Sequence, residues 1–301
     1  MTLESPISAP LAEIPVGKYL GERRVEVTLD LIRRFCEGAA DSNPWYTGPS
    51  PFGGPVAPAL IGSHEPWRFN GWYAPDIRGT LHSKQEWDLF APIPVGATYV
   101  ARAVVADRHL KRERHVIVNE VMLSDEAGRP FSRGRTHQSF WRTQPEGLVV
   151  DREREQSPGR RFNPGQPPVL ERIDGRWLTL TPELCLAATD GRRNYHSDAE
   201  IARQMGFPAV VVQGVFNANL VSGLMSTRFG EGWWCGGQLR MSFVNVIWGG
   251  DELRACVAVR EMVAEEPRRR AHCEAWVEKR DGTVTAIGSV SAVIAPGSGS
   301  P

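Results

Sequence analysis

The chain repeats itself. Gly96 and Gly250 stand 154 residues apart, and the turn glycines Gly128 and Gly282 keep the same offset. Around the first pair, "HSKQEWDLFAPIPVGATYVARAVVADR" (82–108) matches "GQLRMSFVNVIWGGDELRACVAVREM" (237–262). Around the second, "RHVIVNEVMLSDEAGRPFSRGRTHQSF" (114–140) matches "AHCEAWVEKRDGTVTAIGSVSAVI" (271–294). A constant offset at separate landmarks marks a duplicated unit, so whatever fold one half adopts the other must also accommodate. The paired segments are rich in β-branched and aromatic residues, alternate partly with period two, and turn at DEAG or RDG, as antiparallel hairpins do.

Ahead of these strands each half carries a short helical pattern ending in a polar loop. In "TLDLIRRFCEGAADSNPWY" (28–46) apolar residues fall at 29, 31, 32, 35 and 36. In "TLTPELCLAATDGRRNYH" (179–196) Thr181 is a natural N-cap and Pro182 suits the first helical position. After the second loop, "GFPAVVVQGVFNANLVSGLMSTRF" (206–229) places small and apolar residues at helical spacing behind Gly214, which predicts a buried helix of about four turns. Its counterpart in the first half is "PFGGPVAPALIGSHEPW" (51–67).

Helix first and meandering strands after predicts an α+β unit in which an antiparallel sheet wraps one central helix. The expected organisation is a first unit over 1–143, a linker over 144–171 rich in proline, glycine and charge, a second unit over 172–295 and a flexible tail over 296–301. The 301-residue length suits two such units.

Thirty-five basic and 35 acidic side chains leave no net charge, which argues against nucleic acid or an anionic membrane as partner. Arginine clusters at 108–115, 152–161 and 265–272 read first as solvated loops and strand edges, with contact to a phosphorylated ligand as the alternative. Five scattered cysteines without a C-x-x-C pair predict reduced thiols, no disulfide framework and no metal site. The N-terminus has no basic start followed by an apolar run, so a soluble, cytoplasmic protein is expected. The ten tryptophans are expected mostly in packing.

The second loop and the helix behind it carry the chemistry-bearing residues. His196, Gly214 eighteen residues on and Ser222 eight beyond that stand in one gap-free register. With the "AEIARQMGFP" segment they make the chain resemble the MaoC-like family of (R)-specific enoyl-CoA hydratases and 3-hydroxyacyl-thioester dehydratases. The two tandem units resemble its double-hotdog branch. The resemblance implies His196 as acid/base, Gly214 as the backbone donor to the thioester oxygen, and Ser222, Gln213 and Tyr195 as substrate contacts. It implies an acyl-CoA or acyl-carrier-protein substrate, no cofactor, and a first unit that shapes the acyl tunnel. Pairing of hotdogs can be satisfied within the chain, with a homodimer left open.

The chain also departs from the family motif, which reads roughly G-D-x-N-P-x-H. The aspartate position is Gly191, with Asp190 beside it; Arg193 and Asn194 replace Asn-Pro, and Gln213 replaces a histidine. Either Asp190 takes the carboxylate role or the pair is incomplete. In the first half Asp41, Asn43 and Pro44 are kept, but Tyr46 stands at the histidine position. Imidazole suits proton transfer near neutral pH, and a free N–H at a helix start suits a developing oxyanion. The expected activity is addition or removal of water on an acyl thioester. The alternatives are a tailoring reaction (cyclisation, isomerisation or dehydration) on a polyketide-like intermediate, or a silent acyl-binding subunit.

Overall fold

The computed structural model describes residues 13–69, 80–142 and 163–294. The first unit contributes β1 (Tyr19–Glu26), α1 (Leu29–Ala39), β2 (Leu81–Leu89), β3 (Thr98–Lys111), β4 (Arg114–Ser124) and β5 (Pro130–Trp141). The second contributes β6 (Glu171–Asp174), β7 (Leu178–Thr179), α2 (Pro182–Ala188), α3 (Ala199–Gln204), α4 (Val215–Phe229), α5 (Glu231–Trp234), β8 (Gln238–Phe243), β9 (Glu252–Glu265), β10 (Arg268–Lys279) and β11 (Val284–Ile294).

All pairings are antiparallel, in the order β1-β3-β4-β5-β2-β8-β11-β10-β9-β6, with β7 also on β9. The order is symmetric about the β2–β8 seam, where Gln85 faces Met241 and Trp87 faces Leu239. Joining the units here turns two inner edges into interior strands and leaves no unpaired edge at the centre.

The duplication is visible in the backbone. Gly96 and Gly250 have φ of 84° and 91°, and Gly128 and Gly282 have 85° and 86°. Left-handed turns at these four places explain why glycine is kept at both ends of the 154-residue offset. Helix starts follow local chemistry as well. The Thr28 and Thr181 hydroxyls accept the Leu31 and Leu184 N–H groups at 3.1 and 3.3 Å, with Pro182 in the first turn of α2.

Helix α4 packs on β8 to β11 and on β2, and it is buried on most sides, including Val215, Phe216, Ala218, Val221 and Met225. The first unit differs at the equivalent place. There the described residues 56–69 form turns and a 3-10 stretch, Glu65–Phe69, rather than a helix of this length. Pro55, Pro58 and Pro66 remove amide donors, and Gly62 lies against Leu123, so this segment cannot sustain a long helical ladder. Residues 70–79 lie outside the described residues, as do 144–162 of the expected linker and the 296–301 tail. The end of the linker follows the second unit: the Gly165 N–H donates to Glu274 at 2.9 Å and the Leu170 N–H to the Val259 carbonyl at 2.8 Å.

Trp87, Trp233, Trp234, Trp248 and Trp276 are all buried. Trp234 joins Trp45, Tyr46 and Phe52 in one aromatic cluster and donates its Nε1–H to the Ala57 carbonyl at 3.0 Å. The five cysteines are free, and no helix among the described residues is long and apolar enough to cross a membrane.

Packing at the sheet is tight enough to test. A Cβ on Gly288 of β11 would sit 1.9 Å from the Arg240 carbonyl oxygen of β8, a backbone atom that cannot swing away. Gly288→Ala is expected to cost about 3 kcal/mol or more, at the high end for overpacking, and to lower the thermal midpoint by roughly 5 °C. Thermal denaturation followed by circular dichroism checks it, and an unchanged midpoint would refute the close approach.

Candidate active site

The loop between α2 and α3 is held by its own polar residues. The Asn194 carboxamide oxygen accepts the His196 N–H at 2.8 Å, the Asn194 N–H donates to the Ser197 hydroxyl at 3.1 Å, and that hydroxyl donates to the Arg192 carbonyl at 2.7 Å. Asp198 caps α3 through the Glu200 and Ile201 N–H groups and pairs with Arg193. Asp198, two residues after His196, therefore anchors the loop.

This scaffold fixes the His196 ring. Its Nδ1 lies 2.5 Å from the Val211 carbonyl, which can only accept, so Nδ1 carries the proton and Nε2 keeps its lone pair. Tyr195 lies against the imidazole with ring centroids 3.8 Å apart and stacks in turn on Phe207 at 5.5 Å. Burial lowers the His196 pKa to about 4, opposed by the hydrogen bond to Val211. The ring is neutral at physiological pH. Burial likewise pushes the Tyr195 hydroxyl up to about 12.

His196 lines a cavity of about 1300 Å³ whose walls come from both units. Gly214, Gln213, Tyr195 and Asp190 are on the same wall surface. Gly214 precedes α4, and no described residue accepts its N–H. A helix start leaves such donors unsatisfied and adds the positive end of the helix dipole. A Cβ at 214 would meet the Phe243 ring at 2.9 Å, so glycine lets the aromatic ring and the backbone share this corner.

Asp190, at φ 57°, bonds Arg34 of α1 at 2.5 Å and makes no hydrogen bond to His196. Its half-exposed carboxylate joins the units at the cavity rim. Ser222 accepts the Trp233 Nε1–H at 3.0 Å, is buried, and is not on the cavity wall. Gln213 is on the wall with its Oε1 buried and unpartnered.

Several wall residues had no signal in the second-half register. Asn219, one turn into α4, lines the cavity with a buried, unpartnered Oδ1. A polar residue in a buried helix was the available hint; Asn217 gives the same hint and also lines the cavity, but its carboxamide is satisfied, donating to the Gly214 carbonyl at 3.0 Å and accepting from Thr285 at 2.7 Å. The first unit supplies His64, Glu65 and His82. Burial lowers the His64 pKa to about 4; Arg68 lowers it further, Asp190 raises it and His196 lowers it, so His64 lies within electrostatic reach of the loop opposite. Burial also lowers the His82 pKa to about 3, with Gln85 opposing, while the ring is held edge-on by Trp67 and Phe243 at 5.0 and 4.7 Å.

The first unit's own version of the loop is closed. Tyr46 is buried and donates its hydroxyl to Asp41 at 2.5 Å, and the aromatic cluster around Trp234 occupies the adjoining space.

Solved structures with this arrangement were found along almost the whole chain. A protein from Mycobacterium tuberculosis described as having a double hotdog fold is 13% identical, with 94% of this chain and 97% of that one covered and a TM-score of 0.62. The chain is a double hotdog. A MaoC domain protein from Chloroflexus aurantiacus is similar to this double hotdog at 12% identity over 97% of this chain and 99% of that one, with a TM-score of 0.72. A MaoC-like dehydratase from Phytophthora capsici is similar at 14% identity over 97% and 100%, with a TM-score of 0.66. No protein-family model and no curated protein matches this double hotdog.

Proposed function

We propose that this double hotdog is a hydro-lyase of the MaoC type, adding water to or removing it from an acyl thioester of CoA or a carrier protein. The second unit (172–295) supplies the chemistry and the first (1–143) shapes the acyl end of the cavity. The observation that carries the reading is the pairing, on one cavity wall, of a neutral imidazole with a free Nε2 and an unclaimed helix-start N–H at Gly214.

The chemistry follows from those two groups. Nε2 of His196 takes a proton from water as the oxygen bonds to C3 of the enoyl thioester. The C2=C3 electron pair moves toward the thioester oxygen, where the Gly214 N–H meets the developing negative charge. The imidazolium then returns its proton to C2 as the enolate collapses. Burial that depresses the His196 pKa makes the imidazolium a strong acid, which favours that return step. One imidazole serves both transfers, so the cycle closes without a carboxylate at position 191. Asp190 supplies negative charge at the rim, and Tyr195, Gln213 and Asn219 contact the acyl group. Ser222 acts behind the wall by holding Trp233.

Away from the Glu65 corner, cavity-lining Arg34, Arg114 and Arg192 outnumber Asp190, which suits the phosphates of CoA or phosphopantetheine. Assay of the purified protein with crotonyl-CoA and longer enoyl-CoAs, following loss of the conjugated thioester absorbance, tests the reading. A second reading, tailoring of a polyketide-like intermediate, is favoured by the volume of the cavity and by Gly191 at the aspartate position. Turnover confined to cyclic or branched thioesters would select it.

A further inference from the structure

The first unit's end of the cavity is polar in a way a plain alkyl chain does not need. Glu65 lines it, yet only 5% of its side chain is accessible. All its partners crowd one oxygen: Arg23 donates to Oε1 at 2.6 Å, the Tyr99 hydroxyl donates to Oε1 at 3.0 Å, and the Arg68 guanidinium stands 3.7 Å from it. Oε2 is buried with no hydrogen-bond partner. A carboxylate oxygen left bare inside a protein is costly, and a ligand donor that reaches it recovers that cost.

We propose that this corner is a subsite for an acyl group bearing a neutral hydroxyl, with Oε2 of Glu65 as its acceptor. The inference rests on the acyl-thioester reading above. Charge selects the donor. Two guanidiniums, Arg23 and Arg68, surround one carboxylate, so the corner is net positive and an ammonium is disfavoured, whereas an alcohol or phenol can donate without adding charge. A bound carboxylate would answer the positive charge but would face Oε2 with like charge. Trp67 and Tyr99 provide the flat apolar walls beside the acceptor. His64 precedes Glu65 and lies within electrostatic reach of His196, which connects this corner to the proposed reacting end.

A site built to bond a hydroxyl rejects the analogue that lacks it, because its own polar atom then goes unpaired. The test is calorimetric titration of the full chain with a ladder of saturated acyl-CoA thioesters and their ω-hydroxy and ω-carboxy counterparts, none of which requires turnover. At one or more lengths the hydroxy member is expected to bind about tenfold tighter or more than its plain partner. In an Arg23→Met/Glu65→Met double variant, which removes both charges together, the preference is expected to fall below about twofold. Equal or tighter binding of the plain or carboxy member at every length in the wild-type protein overturns the subsite alone, as does a preference that survives in the double variant. If the double variant does not fold, the wild-type comparison still decides. Absence of binding by all the thioesters overturns the acyl-thioester reading and the subsite with it.

Discussion

Replacing His196 by alanine is expected to lower kcat/KM for enoyl-thioester hydration by about 10²- to 10⁴-fold, the usual contribution of a positioned proton-transfer group. The magnitude follows from the double duty proposed for the ring: in that cycle one imidazole both takes the proton from water and delivers it to carbon. The Val211 carbonyl fixes which nitrogen keeps its lone pair. The loop keeps its hydrogen bonds through Asn194, Ser197 and Asp198, while loss of the imidazole bond to the Val211 carbonyl and of its packing on Tyr195 should cost about 1–3 kcal/mol of stability. Steady-state kinetics beside a melting curve separates the two effects. Ligand binding without turnover in the wild-type chain would instead indicate a silent acyl-binding subunit. An Asp190→Asn variant adds a discrimination: a carboxylate acting through Arg34 at the rim should cost less than about tenfold, whereas a loss matching that of His196→Ala would make Asp190 a proton carrier.

Acidification from pH 6.5 toward 4 is expected to destabilise the fold steeply. His64, His82 and His196 are held neutral by burial, with pKa values lowered from 6.5 to about 4, 3 and 4. The unfolded chain protonates all three near pH 6.5, while the folded chain does not until the lower values are reached. Below pH 6.5 the unfolded state therefore binds more protons and is favoured as pH falls. The stabilising contribution is fully present above pH 6.5 and is lost on the way down to the folded values. Three uncompensated protons correspond to up to about 4 kcal/mol per pH unit, or a fall of roughly 6 °C in midpoint per unit. Thermal melts across that range measure it, and His82→Phe should reduce the slope by about a third. A midpoint that stays level from pH 7 to pH 5 would mean that these rings protonate freely in the folded protein.

The residues behind these two predictions differ in how they could be read. The polar loop carrying His196 and the glycine opening α4 were legible because their chemistry is local: a turn-forming cluster and a helix start each need only neighbours in sequence. The turn glycines Gly96, Gly128, Gly250 and Gly282 were legible for the same reason, since each adopts a left-handed backbone of its own. Register alone could not say which way α4 presents its polar residues. Ser222 and Asn219 are three residues apart on that helix, and the structure turns Ser222 toward Trp233 while Asn219 lines the cavity. The repeat also suggested a first-unit helix equivalent to α4, where the described residues form turns and a 3-10 stretch because prolines interrupt the amide ladder.

What the sequence determined by itself is the duplication, the strand meanders and the caps, and the lone imidazole on a polar loop. These depend on periodicity and on contacts within a few residues. What only tertiary structure decided is the composition of the cavity. His64, Glu65 and His82 meet the His196 loop because β2 joins β8 and α1 lies against α2, where Gly38 permits an approach so close that a Cβ would sit 2.7 Å from the Ala187 carbonyl oxygen. Contacts more than a hundred residues apart leave no local pattern, since their partners are chosen by the joining of two units along one continuous sheet and not by any neighbour along the chain.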